Sequence, residues 1–64
     1  MKKVKQIEPD VGVRYSSAEG KVFTITGLPE LNKDQWVEYV DAQNKKDYYC
    51  RLEAFLQRFH PIAD

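Results

Sequence analysis

The segment YYCRLEAFLQRFHPI, residues 48–62, is the most apolar part of this chain and the strongest constraint on its fold. Large apolar residues in it follow the spacing i, i+3, i+4, i+7, which predicts a short amphipathic helix or two tight turns ending near Pro61. These residues are Leu52, Phe55, Leu56 and Phe59. Since 64 residues allow only one small core, a few strands would need this apolar element as a cover.

The charged residues and the single cysteine exclude several classes of protein. Ten basic residues balance ten acidic ones, so the surface as a whole neither attracts nor mimics a polyanion. Cys50 and His60 are the only cysteine and histidine, which leaves no internal disulfide and no zinc site, and we expect no metal and no cofactor. The basic amino end has no apolar run behind it and no segment has membrane-spanning length, which predicts a cytoplasmic protein without membrane contact.

Alternating apolar residues predict four strands ahead of the helix, at residues 11–15, 21–28, 36–42 and 47–52. The inner face should carry Phe23 and Ile25 from the second strand and Val37 and Tyr39 from the third. Trp36 and Val40 would cover a partly exposed face, because Glu38 lies between them.

The connections between the strands are polar. The first and second strands are joined by SSAEG, a turn sequence. Residues 30–35 should form a polar loop with a single capped turn between Asn32 and Gln35. Residues 43–47 predict a turn in which Asn44 can take the left-handed conformation.

The expected fold is therefore mostly β, with a strongly bent antiparallel sheet or small barrel and a short C-terminal helix over one end. Residues 1–10 would be a flexible basic arm or an edge strand, and residues 11–64 a single domain.

The residues that could carry catalysis have simpler structural roles. Cys50 is expected to point into the core one step before the helix, since free cysteine is among the most buried residue types. Its only candidate activators are Arg51 and His60, and His60 is better placed to cap the helix or to lie exposed. The carboxylates form no pair in an apolar pocket, so we predict that the protein is not an enzyme.

A binding role is predicted from the number of aromatic residues. Four of them exceed what so small a core can bury beside the remaining rings, and they are the candidate partner-binding residues: Tyr15, Trp36, Tyr48 and Tyr49. Alternation along the strand places one of Tyr48 and Tyr49 outside, where it could lie beside Trp36. The alternative is that these rings only stabilise the sheet across neighbouring strands.

Nucleic acid is the rival partner. Lysines in the loops are the candidate contacts, and the basic arm would add to them: Lys33, Lys45 and Lys46, with Lys2, Lys3 and Lys5. Small barrels bind single strands through such a mixture of stacking and phosphate contacts. Acidic residues flank the same loops and weaken the local potential: Asp34, Asp41 and Asp47.

Two resemblances can be read from the sequence. The run VEYVDAQN, residues 37–44, followed by a strand and LEAF, is similar to the central hairpin and closing turn of SH3-like and Tudor-like small barrels, which implies an SH3-like barrel. Ala42 replaces the aromatic residue that follows the strand-end aspartate in that pattern, so no methyl-lysine cage is implied. The tail, with Tyr48, Cys50, LEAF and Phe59, resembles short uncharacterised proteins carried by phages and prophages of enteric bacteria, which implies an accessory factor acting on a host or phage protein.

The predicted function is thus a non-catalytic protein-interaction module, with a homodimer through an uncovered edge strand as one possibility. Binding of nucleic acid is the alternative.

Overall fold

The computed structural model describes residues 9–62, so most of the predicted basic arm at residues 1–10 lies outside the described residues. The described chain forms six strands and one helix. In chain order they are β1 (Arg14–Ser17), β2 (Val22–Gly27), β3 (Glu30–Leu31), β4 (Asp34–Asp41), β5 (Asp47–Arg51), α1 (Leu52–Arg58) and β6 (Phe59–Pro61).

The strands form one antiparallel sheet in the spatial order β5-β4-β2-β1-β6, with β3 paired to the beginning of β4. Strands β5 and β6, at the two ends, do not pair with each other in the described chain, so the sheet is open. The register of β2 against β4 shifts between Ile25 and Gly27, and such a bulge increases the local bend and twist. The prediction of a mostly β, strongly bent antiparallel sheet with a short C-terminal helix is confirmed.

The core lies on the concave face of the sheet and is mainly aromatic. Its buried residues are Tyr15, Phe23, Ile25, Val37, Tyr39, Phe55 and Phe59. The inner faces predicted for the second and third strands are correct. Phe55, the buried residue of α1, lies with its ring centroid 4.8 Å from Tyr15 and 4.9 Å from Tyr39, so the helix covers the open sheet as expected.

The first strand begins later than predicted. Val11 lies in a turn and is 60% exposed, whereas β1 runs from Arg14 through the two serines that were assigned to the turn. The Ser17 hydroxyl accepts hydrogen bonds from the backbone N–H groups of Glu19 and Lys21, so a serine side chain closes the turn that follows the strand.

The polar loop at residues 30–35 is a β-hairpin, and the predicted capped turn there is wrong. Strand β3 pairs with the beginning of β4 through a two-residue connection, Asn32 and Lys33. Both have positive φ, 52° and 67°, as the tight hairpin turn with the twist of the flanking strands requires. Lysine is an uncommon residue at such a position, which is why the sequence did not signal the turn.

The β4–β5 turn places a different residue in the left-handed region from the one predicted. Lys45 has φ of 64°, while Asn44 uses its side-chain oxygen to accept the N–H of Lys46 at 2.9 Å. Asp41 is buried, and its carboxylate accepts the N–H of Gln43 at 2.7 Å. The end of β4 is therefore tied to the turn by a buried carboxylate.

The C-terminal apolar segment divides into a helix and a strand. Helix α1 ends at Arg58, and Phe59 enters the core from β6, which pairs with β1. Leu56 is 43% exposed, so the helical pattern identified it as a core residue wrongly. Helix α1 has seven residues, about two turns, and Phe55 is its one buried residue.

A candidate protein-interaction surface

The hairpin register of β4 and β5 divides their side chains between two faces. Cross-strand pairs on the outer, convex face join Trp36 to Arg51, Glu38 to Tyr49 and Val40 to Asp47. The pairs between them, Val37 with Cys50 and Tyr39 with Tyr48, lie on the inner face.

Tyr49 is the outward tyrosine of the neighbouring pair. It is 70% exposed, whereas Tyr48 is 36% exposed and its ring stacks on Tyr39 at 5.5 Å. The rings of Tyr48 and Phe23 also meet edge to face, 6.1 Å apart. The expectation that one of the two tyrosines points inward and the other outward is therefore met.

Trp36, Tyr49 and Arg51 form a continuous cluster on the outer face, which we call the outer aromatic patch. The ring centroids of Trp36 and Tyr49 are 5.7 Å apart. The Arg51 guanidinium lies 5.8 Å from the Trp36 ring and its Nη2 is 3.6 Å from Asp34 Oδ2. The patch thus combines two flat apolar rings with a cation held over one of them.

Carboxylates surround the outer aromatic patch. On the outer face of β4 and β5, three acidic side chains accompany the single guanidinium: Asp34, Glu38 and Asp47. Arg51 pairs with Asp34, and within residues 9–62 Glu38 and Asp47 have no ion-pair partner. Gly27 leaves room for Glu38, because a Cβ there would lie 2.7 Å from the Glu38 Oε1 atom.

A shallow groove of about 320 Å³ runs beside Tyr49. It is lined by Thr26, Glu38, Tyr39, Asp47, Tyr48 and Tyr49. The groove thus brings together the ring of Tyr49 and two carboxylates that have no ion-pair partner in the described chain.

Tyr15 is not part of an exposed surface, contrary to the prediction. Its side chain is fully buried and packs edge to face on Phe55, and its hydroxyl has no hydrogen-bond partner among the described residues. Burial raises the pKa of Tyr15 above its ordinary value. The core has room for this ring because the bend of the sheet brings β1 over α1, an arrangement that the local sequence pattern does not specify.

Cys50 and His60 belong to strands at opposite ends of the sheet. Cys50 is half-buried against the core and is paired with Val37, and His60 is exposed on β6 and paired with Ser16. Burial, followed by the neighbouring Cys50, raises the pKa of Tyr39 to about 12. Among the residues that the structure describes, no three His, Cys, Asp or Glu side chains are grouped as metal ligands would be.

The loop lysines do not form a single patch. Lys33 is in the turn before β4, and Lys45 and Lys46 follow its other end, so the two groups are separated by the whole strand, about 23 Å at 3.3 Å per residue. The Lys46 ammonium lies 5.9 Å from the Tyr48 ring centroid. The structure therefore places the candidate nucleic-acid contacts at opposite ends of β4.

Arg51 and the flanking carboxylates were missed as parts of the surface. The sequence pattern indicated Arg51 only as a neighbour of the Cys50 thiol. Pairing residues across the predicted hairpin would have placed Arg51 opposite Trp36 and Glu38 opposite Tyr49, because a two-stranded register fixes which side chains meet.

No family model matches the chain, and neither curated proteins nor solved structures give a significant match. None of the helices in residues 9–62 is long and apolar enough to span a membrane.

Proposed function

We propose that this chain is a non-catalytic protein-interaction module that binds its partner through the outer aromatic patch. The observation that carries the proposal is the pairing of half-buried Trp36 with exposed Tyr49, whose rings are adjacent on the outer face of the sheet. Tryptophan, tyrosine and arginine are the residues most enriched among those that dominate binding energy at protein interfaces. The resemblance to SH3-like small barrels also supports a binding role.

The charges around the patch define the chemistry of the partner. Glu38 and Asp47 lie beside the Tyr49 ring without an ion-pair partner in the described chain, so the patch suits a protein segment that presents lysine or arginine. A cation from the partner can contact a carboxylate and an aromatic face together. The same carboxylates repel phosphate, which favours a basic protein segment over a nucleic acid at this face.

The resemblance of the tail to phage and prophage proteins supports a narrower proposal. Under this narrower proposal, the partner is a host or phage protein, and the chain is an accessory factor in the bacterial cytoplasm.

Affinity capture with matched variants tests the proposal. The tagged protein is incubated with bacterial lysate, with and without nuclease, and Trp36→Ala and Tyr49→Ala are run beside Leu31→Ala. Leu31 is an exposed apolar residue on β3, outside the patch, and is therefore a control for loss of surface hydrophobicity. We expect a nuclease-resistant protein that both patch variants bind at least tenfold more weakly and that Leu31→Ala binds normally.

Two outcomes would contradict the proposal. If all three variants capture the same protein as well as the wild type does, the binding site lies outside the outer aromatic patch. Recovery that disappears with nuclease, and falls when Lys45 and Lys46 are replaced, would support the nucleic-acid alternative instead. Circular dichroism of each variant shows whether the sheet is intact before binding is compared.

A further inference from the structure

Among the described residues, strand β5 pairs only with β4, so its other side is an edge whose outward backbone groups can be identified from the register. The N–H of Asp41 donates to the carbonyl of Lys46 at 2.9 Å, which marks that pair as hydrogen-bonded. Because such pairs alternate along an antiparallel ladder, Tyr48 and Cys50 direct their N–H and C=O groups toward β4. The other three residues of β5 direct their N–H and C=O groups away from the sheet: Asp47, Tyr49 and Arg51.

The opposite edge of the sheet offers less to a partner. Strand β6 has three residues, and Pro61 lacks an N–H group. Strand β5 has five residues and no proline, and most of its side chains are exposed. An uncovered strand of this kind is a template for pairing with another strand.

We propose that β5 pairs with β5 of a second copy of this chain, antiparallel, about a two-fold axis at Tyr49. In this register Tyr49 faces Tyr49 of the second copy, and each Asp47 faces the other copy's Arg51. Every outward N–H and C=O group of the three residues then has a backbone partner. Opposite charges directly across two strands stabilise the pairing.

The charges of the chain select this register over its neighbours. Moving the axis to residue 48 takes Arg51 past the end of the partner strand, since Lys45 lies in the turn, and moving it to residue 50 does the same for Asp47, since Glu53 lies in α1. Both shifts lose the two Asp47–Arg51 contacts, and parallel self-pairing sets each charge beside its own copy. The strand is thus self-complementary in one register, as a two-fold interface requires.

Pairing in this register joins the two sheets and brings the two outer aromatic patches side by side. The four rings would form one continuous surface on the convex face, with Tyr49 of each copy in the middle. This inference goes beyond the proposed function, because it depends on the β5 edge and on its charges and not on the partner of the patch.

Charge reversal with complementation tests the dimer. Alone, Asp47→Arg places two arginines opposite each other at both ends of the interface, and Arg51→Asp does the same with two aspartates. Mixed together, the two variants form a pair in which every contact is again between opposite charges. Sedimentation velocity over a range of protein concentrations measures the association.

We expect wild-type protein to dimerise, each variant alone to associate at least tenfold more weakly, and the equimolar mixture to recover the dimer. A wild-type protein that stays monomeric up to millimolar concentration would overturn the proposal, and so would a mixture that does not recover. Should charge reversal prevent folding, Asp47→Asn and Arg51→Gln replace it. Each should weaken association, and unchanged association would refute the register.

The two proposals can fail separately. Trp36 makes no contact across the proposed two-fold axis in this register, so Trp36→Ala should leave the dimer intact while it abolishes partner binding. A wild-type protein that stays monomeric and still captures its partner through the outer aromatic patch would show the converse.

Discussion

Replacing Tyr15 by Phe should stabilise the fold, although Tyr15 is one of its most deeply buried residues. The ring is fully buried and contacts Phe55 edge to face at 4.8 Å, and phenylalanine keeps that contact. The hydroxyl is buried with no hydrogen-bond partner among the described residues. Folding therefore removes this group from water without replacing the hydrogen bonds that it made there.

The magnitude follows from two opposing terms. Leaving a buried donor or acceptor unpaired costs about 1–3 kcal/mol, and the substitution removes that cost. The space left by one oxygen atom subtracts only a few tenths of a kcal/mol, at about 24 cal/mol per Å³. The net expectation is an increase of about 1 kcal/mol in the free energy of unfolding, which for a domain of this size raises Tm by about 4–8 °C.

Urea and thermal unfolding followed by circular dichroism would measure the change, with Tyr39→Phe as the matched control. Tyr39 is also a buried core tyrosine, but its hydroxyl is not one of the described buried side-chain atoms that lack a hydrogen-bond partner. Its removal relieves no such cost, so Tyr39→Phe should not stabilise the fold as Tyr15→Phe does. A Tyr15→Phe protein that is less stable than wild type by 1 kcal/mol or more would refute the reasoning, because it would mean that the hydroxyl is bonded.

Two further predictions concern a turn and the dependence of stability on pH. Lys33→Gly should stabilise the fold by about 0.5–1 kcal/mol, since lysine is strained at φ of 67° and glycine is not, and equilibrium unfolding in urea would measure it. A variant less stable than wild type would show that the Lys33 side chain stabilises the fold by more than its backbone strain costs. The pKa of Tyr39 is raised to about 12. The neutral Tyr39 side chain makes its full contribution to the free energy of unfolding below about pH 10, the ordinary pKa of tyrosine. About 3 kcal/mol of that contribution is lost as the pH rises through 12. Unfolding measured from pH 9 to 12 should show this loss in wild type and a smaller one in Tyr39→Phe, and equal losses would contradict the assignment.

Much of the fold could be predicted where neighbouring residues alone decide the conformation. Alternation identified the inner faces of β2 and β4, and the change to helical spacing located α1. The hairpin of β3 was missed because its turn uses lysine in the left-handed region, where glycine is the usual signal. Strand β6 was missed because helical spacing continues through Phe59, and only pairing with β1 makes that segment extended.

The candidate surface was predictable in part for the same reason. The outward position of one tyrosine beside Trp36 follows from alternation within two strands. The burial of Tyr15 does not, because it depends on how far the sheet bends over Phe55.

The sequence by itself determined the class of fold and the inner faces of β2 and β4, since these depend on residue type and on periodicity. The tertiary structure decided which aromatic rings are exposed, which carboxylates flank them and which edge of the sheet is uncovered. These features depend on strand register and on the bend at the β2 bulge. Register sets contacts between residues far apart in the chain, and a shift of one residue would move every side chain of a strand to the opposite face.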